Sequence, residues 1–513
     1  MTNRPIFSKS IRTALMASSV ALLALGAQAE TLTVMQSEAP RSMDPADQTA
    51  TFTQVVLAPM YEGLVGRNSD LAIVPLLATE WAPDDTGLVW TFQLRDGVTF
   101  HDGTPLDAAA VVASFERLLD PARGLAAAGR VAAVLESVEA VDDMTVSFTL
   151  IQPYAGFIDL LATAVGYIVS PTADAAGTLG TNAVGTGPFS FVEWQSGEHV
   201  TQTANPDYWG EMPTLEGLEF TWTSEPSVLS MAAQTGEADV VNPLPPIFAQ
   251  TVDADPNLTL IDQPGSAMFW VSLNVLDEPL DHVAARQALN FATDRDALVS
   301  ALRRGYAVAA NSPLAPTNPA WDASLDPYPY DLDRARALLA EAGVPDGFSM
   351  SVAVQEPEAP IAEALQGMWS DIGVDLEVRR LESGVWVEAA FNDPEAKAED
   401  GLSAVIASWS SGSFNSDLQF RPLYSTGAWA PGGANLGFFT SDALDAIIDE
   451  AAAELDEDAR NALYVEAQRI VNEEAPHVLL YSNRDLAATS ANVEGITMLP
   501  GGLILVANAT KSN

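Results

Sequence analysis

Asp331-Leu332-Asp333-Arg334-Ala335-Arg336-Ala337-Leu338-Leu339-Ala340-Glu341-Ala342-Gly343, followed downstream by Val374-Asp375-Leu376-Glu377-Val378, decides the fold class. Asp331 stands where a helix N-cap accepts orphan amides, Leu338 and Leu339 share the inward face, and Gly343 fits the left-handed stop. Val374 to Val378 alternates apolar and acidic residues, which is the period of a half-buried strand. A helix that leads into a strand is the repeating unit of an α/β domain. Working outward, Asp281 is placed to cap a helix running to about Arg304. It would turn Val283, Ala284, Ala288, Phe291 and Ala292 inward and display Arg286, Arg295 and Asp296, with Gly305 ending it. Helical patterns over Asp442 to Leu455 and Glu457 to Asn472 precede Pro476 and a short apolar strand, Val478 to Tyr481. A second α/β region therefore fills roughly 275 to 478. Before it, Thr31 to Val34, Val89 to Leu94 and Thr145 to Leu150 read as strands bounded by Asp-Asp and Asp-Gly turns, and Phe269 to Leu273 closes the first half. Two lobes joined by two crossing strands leave a cleft, where α/β proteins hold small ligands.

The chain has 513 residues, 69 acids, 23 bases, four His and no Cys, and it is 48% apolar with 11 Trp. That apolar content builds cores, whatever the net charge of −46 suggests about disorder. Without Cys there is no disulfide framework, no thiolate nucleophile and no Cys-ligated metal, and His101, His199, His282 and His477 are too scattered to suggest a multi-histidine centre. A field this negative opposes nucleic acid and anionic membrane surfaces, because such binding rests on Lys and Arg neutralising phosphates.

Arg4, Lys9 and Arg12 precede the apolar run Ala14 to Gly26, which ends in Ala27-Gln28-Ala29 before Glu30. The run is too short to span a bilayer, and the small residues suit signal-peptidase cleavage, so residues 1–29 read as a signal peptide and export to a bacterial periplasm is expected, with no direct membrane insertion. The mature protein would then carry 69 acids against 20 bases. No G-x-S-x-G, phosphate-loop or H-E-x-x-H pattern occurs. Val184-Gly185-Thr186-Gly187-Pro188-Phe189 lacks the Lys of a phosphate loop and reads as a structural turn, as does His101-Asp102-Gly103. A secreted hydrolase would need a nucleophile or metal motif that is missing here. A periplasmic holdase would bind unfolded clients and no small molecule.

Tyr61-Glu62-Gly63-Leu64-Val65, Pro75 to Trp81, Leu94 to Gly103, Val184 to Phe189, Asn205-Pro206-Asp207-Tyr208-Trp209 and the Asp281 to Asp294 segment resemble, in this order, the family 5 solute-binding proteins of peptide-type ATP-driven importers. The resemblance covers essentially the whole mature chain. It implies a two-lobed, Venus-flytrap (class II) α/β receptor that needs no cofactor. Lobe I would comprise 30–272 plus 482–513, with an inserted subdomain at roughly 60–185, and lobe II 273–481. A monomer that hands its solute to an inner-membrane ABC permease is implied as well.

Gln234 to Ala238 with Pro243-Leu244-Pro245, Val271 to Val275, Pro327 to Asp331, and Trp409-Ser410 leading to Asp417 and Arg421-Pro422-Leu423 are similar to the glutathione-binding branch. The dipeptide branch carries an acid soon after this Trp and an Arg upstream. Here Ser410-Ser411-Gly412-Ser413 and Gln355-Glu356-Pro357-Glu358 stand instead. Other oligopeptides, opines or other small solutes remain alternatives; nickel ranks low because few nitrogen ligands are at hand. For a glutathione-like ligand, Asp417 would pair with the ammonium and Arg421 would grip a carboxylate through parallel N–H bonds. Ser410, Ser411 and Asn435 would bond the amides, Trp409 would form a flat wall, and Arg41 would approach from the opposite lobe. The plain alternative is an i, i+4 pair of Asp417 and Arg421 on a helix surface.

Overall fold

A computed structural model of the chain describes residues 30–410 and 415–512. Residues 1–29, to which the signal reading belongs, and Ser411 lie outside the described residues. Among the described residues, eleven strands form one mixed sheet that runs through both lobes. In the first lobe β1 (Thr31–Gln36) lies between β2 (Gly217–Trp222) and β3 (Val240–Val241), parallel to both. β4 (Leu258–Leu273) then leaves for the second lobe. There β5 (Ser349–Gln355), β6 (Asp375–Leu381) and β7 (Ala404–Trp409) run parallel in the order β6-β5-β7. β8 (His477–Ser490) returns antiparallel to β4. The two crossing strands are thus far longer than the short runs Phe269 to Leu273 and Val478 to Tyr481 that the sequence displays. Their middles carry Pro264, Gly265, Asn483, Arg484 and Asp485, which hide the strand pattern, and the pairing of β4 with β8 is irregular between Pro264 and Met268. Val271 and Leu273 pack in an apolar core with Val352, Val354 and Ile406.

Side chains on the second-lobe strands alternate between two apolar layers. Val352, Val354 and Ile406 face one layer, while Ala353, Val405 and Ala407 face the other. The helix expected over Asp281 to Arg304 is two helices, α1 (Val283–Phe291) and α2 (Arg295–Arg303). The break comes at Asp294, whose carboxylate accepts from the Ala297 amide and restarts the chain as a new N-cap. Arg286 and Arg295 correct the expectation of a displayed charge. Arg286 is buried and donates to the carbonyls of Leu280, Asp281 and Glu474, and Arg295 donates to those of Asn290 and Leu479. Val283, expected inside, is exposed. α3 (Leu332–Glu341) forms as read, capped by Asp331. Between it and β6 the sequence reading lacked both β5 and the helix Ala359–Ser370.

Residues 78–150 of the insert form a separate antiparallel sheet, in which Val89–Leu94 and Thr145–Leu150 are neighbours. Phe92, Phe115, Phe148 and Phe157 pack edge to face beneath it. The motifs that carry the family resemblance meet in space. Glu62 accepts from Tyr208 Oη (2.8 Å), Trp209 Nε1 (2.8 Å) and Thr186 Oγ1 (2.8 Å), and the Arg95 guanidinium lies 4.3 Å from the Trp209 ring centroid. Burial pushes the Glu62 carboxyl above its usual range, and these donors and Arg95 oppose the shift. His101-Asp102-Gly103 is a turn, with Gly103 at φ +81° and Asp102 accepting from the Thr104 amide, whereas Val184 to Phe189 is a bent segment whose Gly187 and Phe189 amides donate to the Met60 and Pro59 carbonyls before a strand opens at Phe189. Among the described residues, no helix is long and apolar enough to cross a membrane.

Candidate functional site between the lobes

Register fixes where the strand ends point. β3 runs antiparallel to β8 with Val240 opposite Thr489 and Val241 opposite Ala488, so the carboxyl ends of β1, β2 and β3 point toward the second lobe. β7 runs antiparallel to β4 with Ala404 opposite Leu273 and Trp409 opposite Met268, so the carboxyl ends of β5, β6 and β7 point back. Both sets converge on the middle of the crossing strands. Ligands of open α/β sheets bind beyond the carboxyl ends of strands, because the loops and helix N-termini there present unpaired polar groups.

Asp417 begins α4 (Asp417–Tyr424), the helix that follows β7. Its side chain is 6% exposed and accepts from Arg421 Nε at 3.0 and 3.2 Å. Arg421 Nη1 also reaches Asp449 at 2.7 Å, and Nη2 donates to the Ile448 carbonyl at 3.3 Å. Asp449 belongs to α5 (Asp442–Ala453), which precedes α6 (Glu457–Glu474). Two carboxylates thus share one guanidinium, and the cluster carries one negative charge in excess. Burial pushes the Asp417 carboxyl above its ordinary range, and Arg421 opposes that shift. Trp409 Nε1 donates to the Leu418 carbonyl at 3.0 Å, which sets the indole against the first turn of α4. Ser410 is exposed, and its hydroxyl lies 2.7 Å from that of Ser266 on crossing strand β4.

Two of the expected contacts are placed elsewhere. Asn435 is 1% exposed, and its amide is spent on the Ser425 and Phe439 carbonyls (3.1 and 2.9 Å) and the Phe439 amide (3.1 Å). It fastens a loop and presents nothing to a ligand. Arg41 follows β1, but its side chain is 63% exposed and its contacts stay in the first lobe, with Glu38 at 3.8 Å and the Phe52 ring at 5.1 Å. Sequence reading also missed polar atoms at the end of β1 and in the segments that follow β5 and β6. Gln36 Oε1, Glu358 Oε2 and Trp386 Nε1 are buried without a partner among the described residues. Only the strand-end rule points to them, since their spacing forms no motif. Tyr154 was missed too; its hydroxyl meets the Asn415 amide at 2.6 Å across the lobes.

The sequence model of the family described as bacterial extracellular solute-binding proteins, family 5 Middle, matches residues 72–431. Glutathione-binding protein GsiB of Pectobacterium atrosepticum is 30% identical over 468 residues, covering 90% of each chain. HbpA2 from Haemophilus parasuis superposes with a TM-score of 0.85 at 28% identity, covering 94% of this chain and 100% of that one. The periplasmic binding protein DppA of Helicobacter pylori, solved with the peptide STSA, gives a TM-score of 0.78 at 27% identity, covering 94% of this chain and 98% of its own. With a two-lobed α/β fold, opposed strand ends and this extent of match, the chain belongs to the family 5 bacterial extracellular solute-binding proteins.

Proposed function

We propose that this receptor, exported to the periplasm, captures glutathione or a glutathione-like short peptide between its lobes and presents it, chemically unchanged, to the permease of an ATP-driven importer. The observation that carries the reading is the uncompensated negative charge of the Asp417, Arg421 and Asp449 cluster at the junction of the lobes. A ligand ammonium neutralises it. Arg421 has five N–H donors and engages three here, so two remain for a ligand carboxylate. Ser410, Ser411 and the Trp409 indole complete the proposed contacts, and Arg41 is the proposed first-lobe contact once its side chain leaves Glu38 and the Phe52 ring. The glutathione-binding relatives support this choice of solute. A second reading, a different short peptide, draws on the Helicobacter pylori neighbour with its bound tetrapeptide.

Thermal unfolding of refolded protein with reduced glutathione, a di- to pentapeptide mixture and an opine separates these readings. A ligand at about 100 times its Kd adds roughly 2.7 kcal/mol of stability. A shift with glutathione alone supports the proposal. A shift with peptides or the opine but not with glutathione replaces the solute and keeps the receptor.

A further inference from the structure

The inserted subdomain touches the second lobe at a place separate from the crossing strands. Asn415 Nδ2 donates to Tyr154 Oη at 2.6 Å, and the Ala155 amide donates to the Ala452 carbonyl, in α5, at 2.9 Å. Ala452 packs within the apolar core of the first lobe. Gly156 is required for this approach: a Cβ there would lie 1.8 Å from Asn415 Nδ2 and 2.7 Å from the Tyr154 ring. Beside them, a Cβ on Gly87 would lie 3.4 Å from the Leu455 side chain, so the turn carrying Gly87 abuts the segment between α5 and α6. Asn415 faces both ways, because its Oδ1 accepts from the Asp417 amide at 2.9 Å.

We propose that the inserted subdomain is the clasp of the receptor: the Tyr154 to Gly156 segment grips Asn415 and Ala452 when the lobes close, and Asn415 couples that grip to occupancy of Asp417. These contacts exist only while the lobes are together, so their free energy belongs to the closed state alone, which is the condition for shifting an opening equilibrium. A ligand ammonium on Asp417 fixes the first turn of α4, and with it the Asn415 amide that Tyr154 meets. The coupling rests on the solute-binding reading of Asp417; the clasp itself does not depend on which solute binds.

The chain has no cysteine, so single cysteines introduced at exposed Glu198 and Glu388, one on each lobe, take spin labels specifically. Interlobe distance distributions are measured for the parent, Tyr154→Phe and Gly156→Ala, with and without reduced glutathione, together with the glutathione off-rate and far-UV circular dichroism. The expected result is unchanged circular dichroism, a smaller closed population in both variants, and an off-rate raised about two- to tenfold, the range of a single hydrogen bond. Folded variants with parental distance distributions and off-rates overturn the clasp. If glutathione fails to bind but both variants still open the ligand-free protein, the clasp stands and the solute assignment falls. If glutathione fails to bind and the ligand-free distributions stay parental, the clasp falls as well.

Discussion

Asp417 and Asn435 carry the same signal in the sequence, a polar side chain in the stretch after Trp409, yet the structure employs them oppositely. Asp417 keeps an excess of charge near the lobe junction, whereas Asn435 satisfies three backbone groups inside a loop. Residue type alone could not separate them, because a ligand amide and a buried backbone amide ask for the same partner. Asn435→Ala should therefore lower stability by about 1–3 kcal/mol, the cost of orphaned buried groups, and leave solute affinity unchanged. Urea unfolding and titration of the same variant check both halves. Lys397 offers a pH test at this scale. It is 1% exposed, donates to the Leu436 carbonyl at 2.7 Å, and lies 4.8 Å from the centroid of the Phe438 ring. Burial pushes its amine down to about 7, and among the described residues no carboxylate offsets it. Between about 7 and the unfolded value near 10.4 the folded protein binds fewer protons than the unfolded one, so this site's penalty is full below 7 and fades as pH rises. Lys397→Met should thus gain stability over the parent at about pH 6, and the gain should shrink by about pH 9.5. A gain that stays constant across that range contradicts the burial argument.

At the scale of elements, legibility followed local signals. α3 was readable because Asp331, Leu338, Leu339 and Gly343 each act within one or two turns. The long helix expected from Asp281 failed at Asp294, where a cap inside an apolar pattern outweighs the continuing period. The crossing strands were legible only at one end each, since their polar middles serve the junction and carry no alternating face. The family motifs were readable for a physical reason now visible. Tyr61 to Val65, the Val184 to Phe189 segment and Asn205 to Trp209 supply one buried network around Glu62, so their residue types are tightly restricted. Glu62→Leu should cost about 3–5 kcal/mol, because it strands three donors in a buried site and leaves Arg95 without its nearby charge. Chemical denaturation reads this directly, and a loss below about 1 kcal/mol would mean that water replaces the carboxylate.

For the whole molecule, a net charge of −46 on 513 residues sets the background. Self-repulsion of the compact state is screened as the Debye length falls from about 10 Å at 0.1 M salt to about 3 Å at 1 M. The unfolding midpoint should rise over that interval in sodium chloride; a fall would show that the surface ion pairs outweigh the net repulsion. The same background means that an anionic solute must be held by local geometry. That places the weight of recognition on the junction of the lobes and not on long-range attraction. Recognition of glutathione at Asp417 is tested most directly by calorimetric titration of refolded protein with reduced glutathione, beside Asp417→Asn. One site per chain is expected for the parent, with binding weakened about ten- to a hundredfold in the variant, as for the loss of a charge-assisted hydrogen bond. Absence of binding to the folded parent, or equal affinity in the variant, would contradict it.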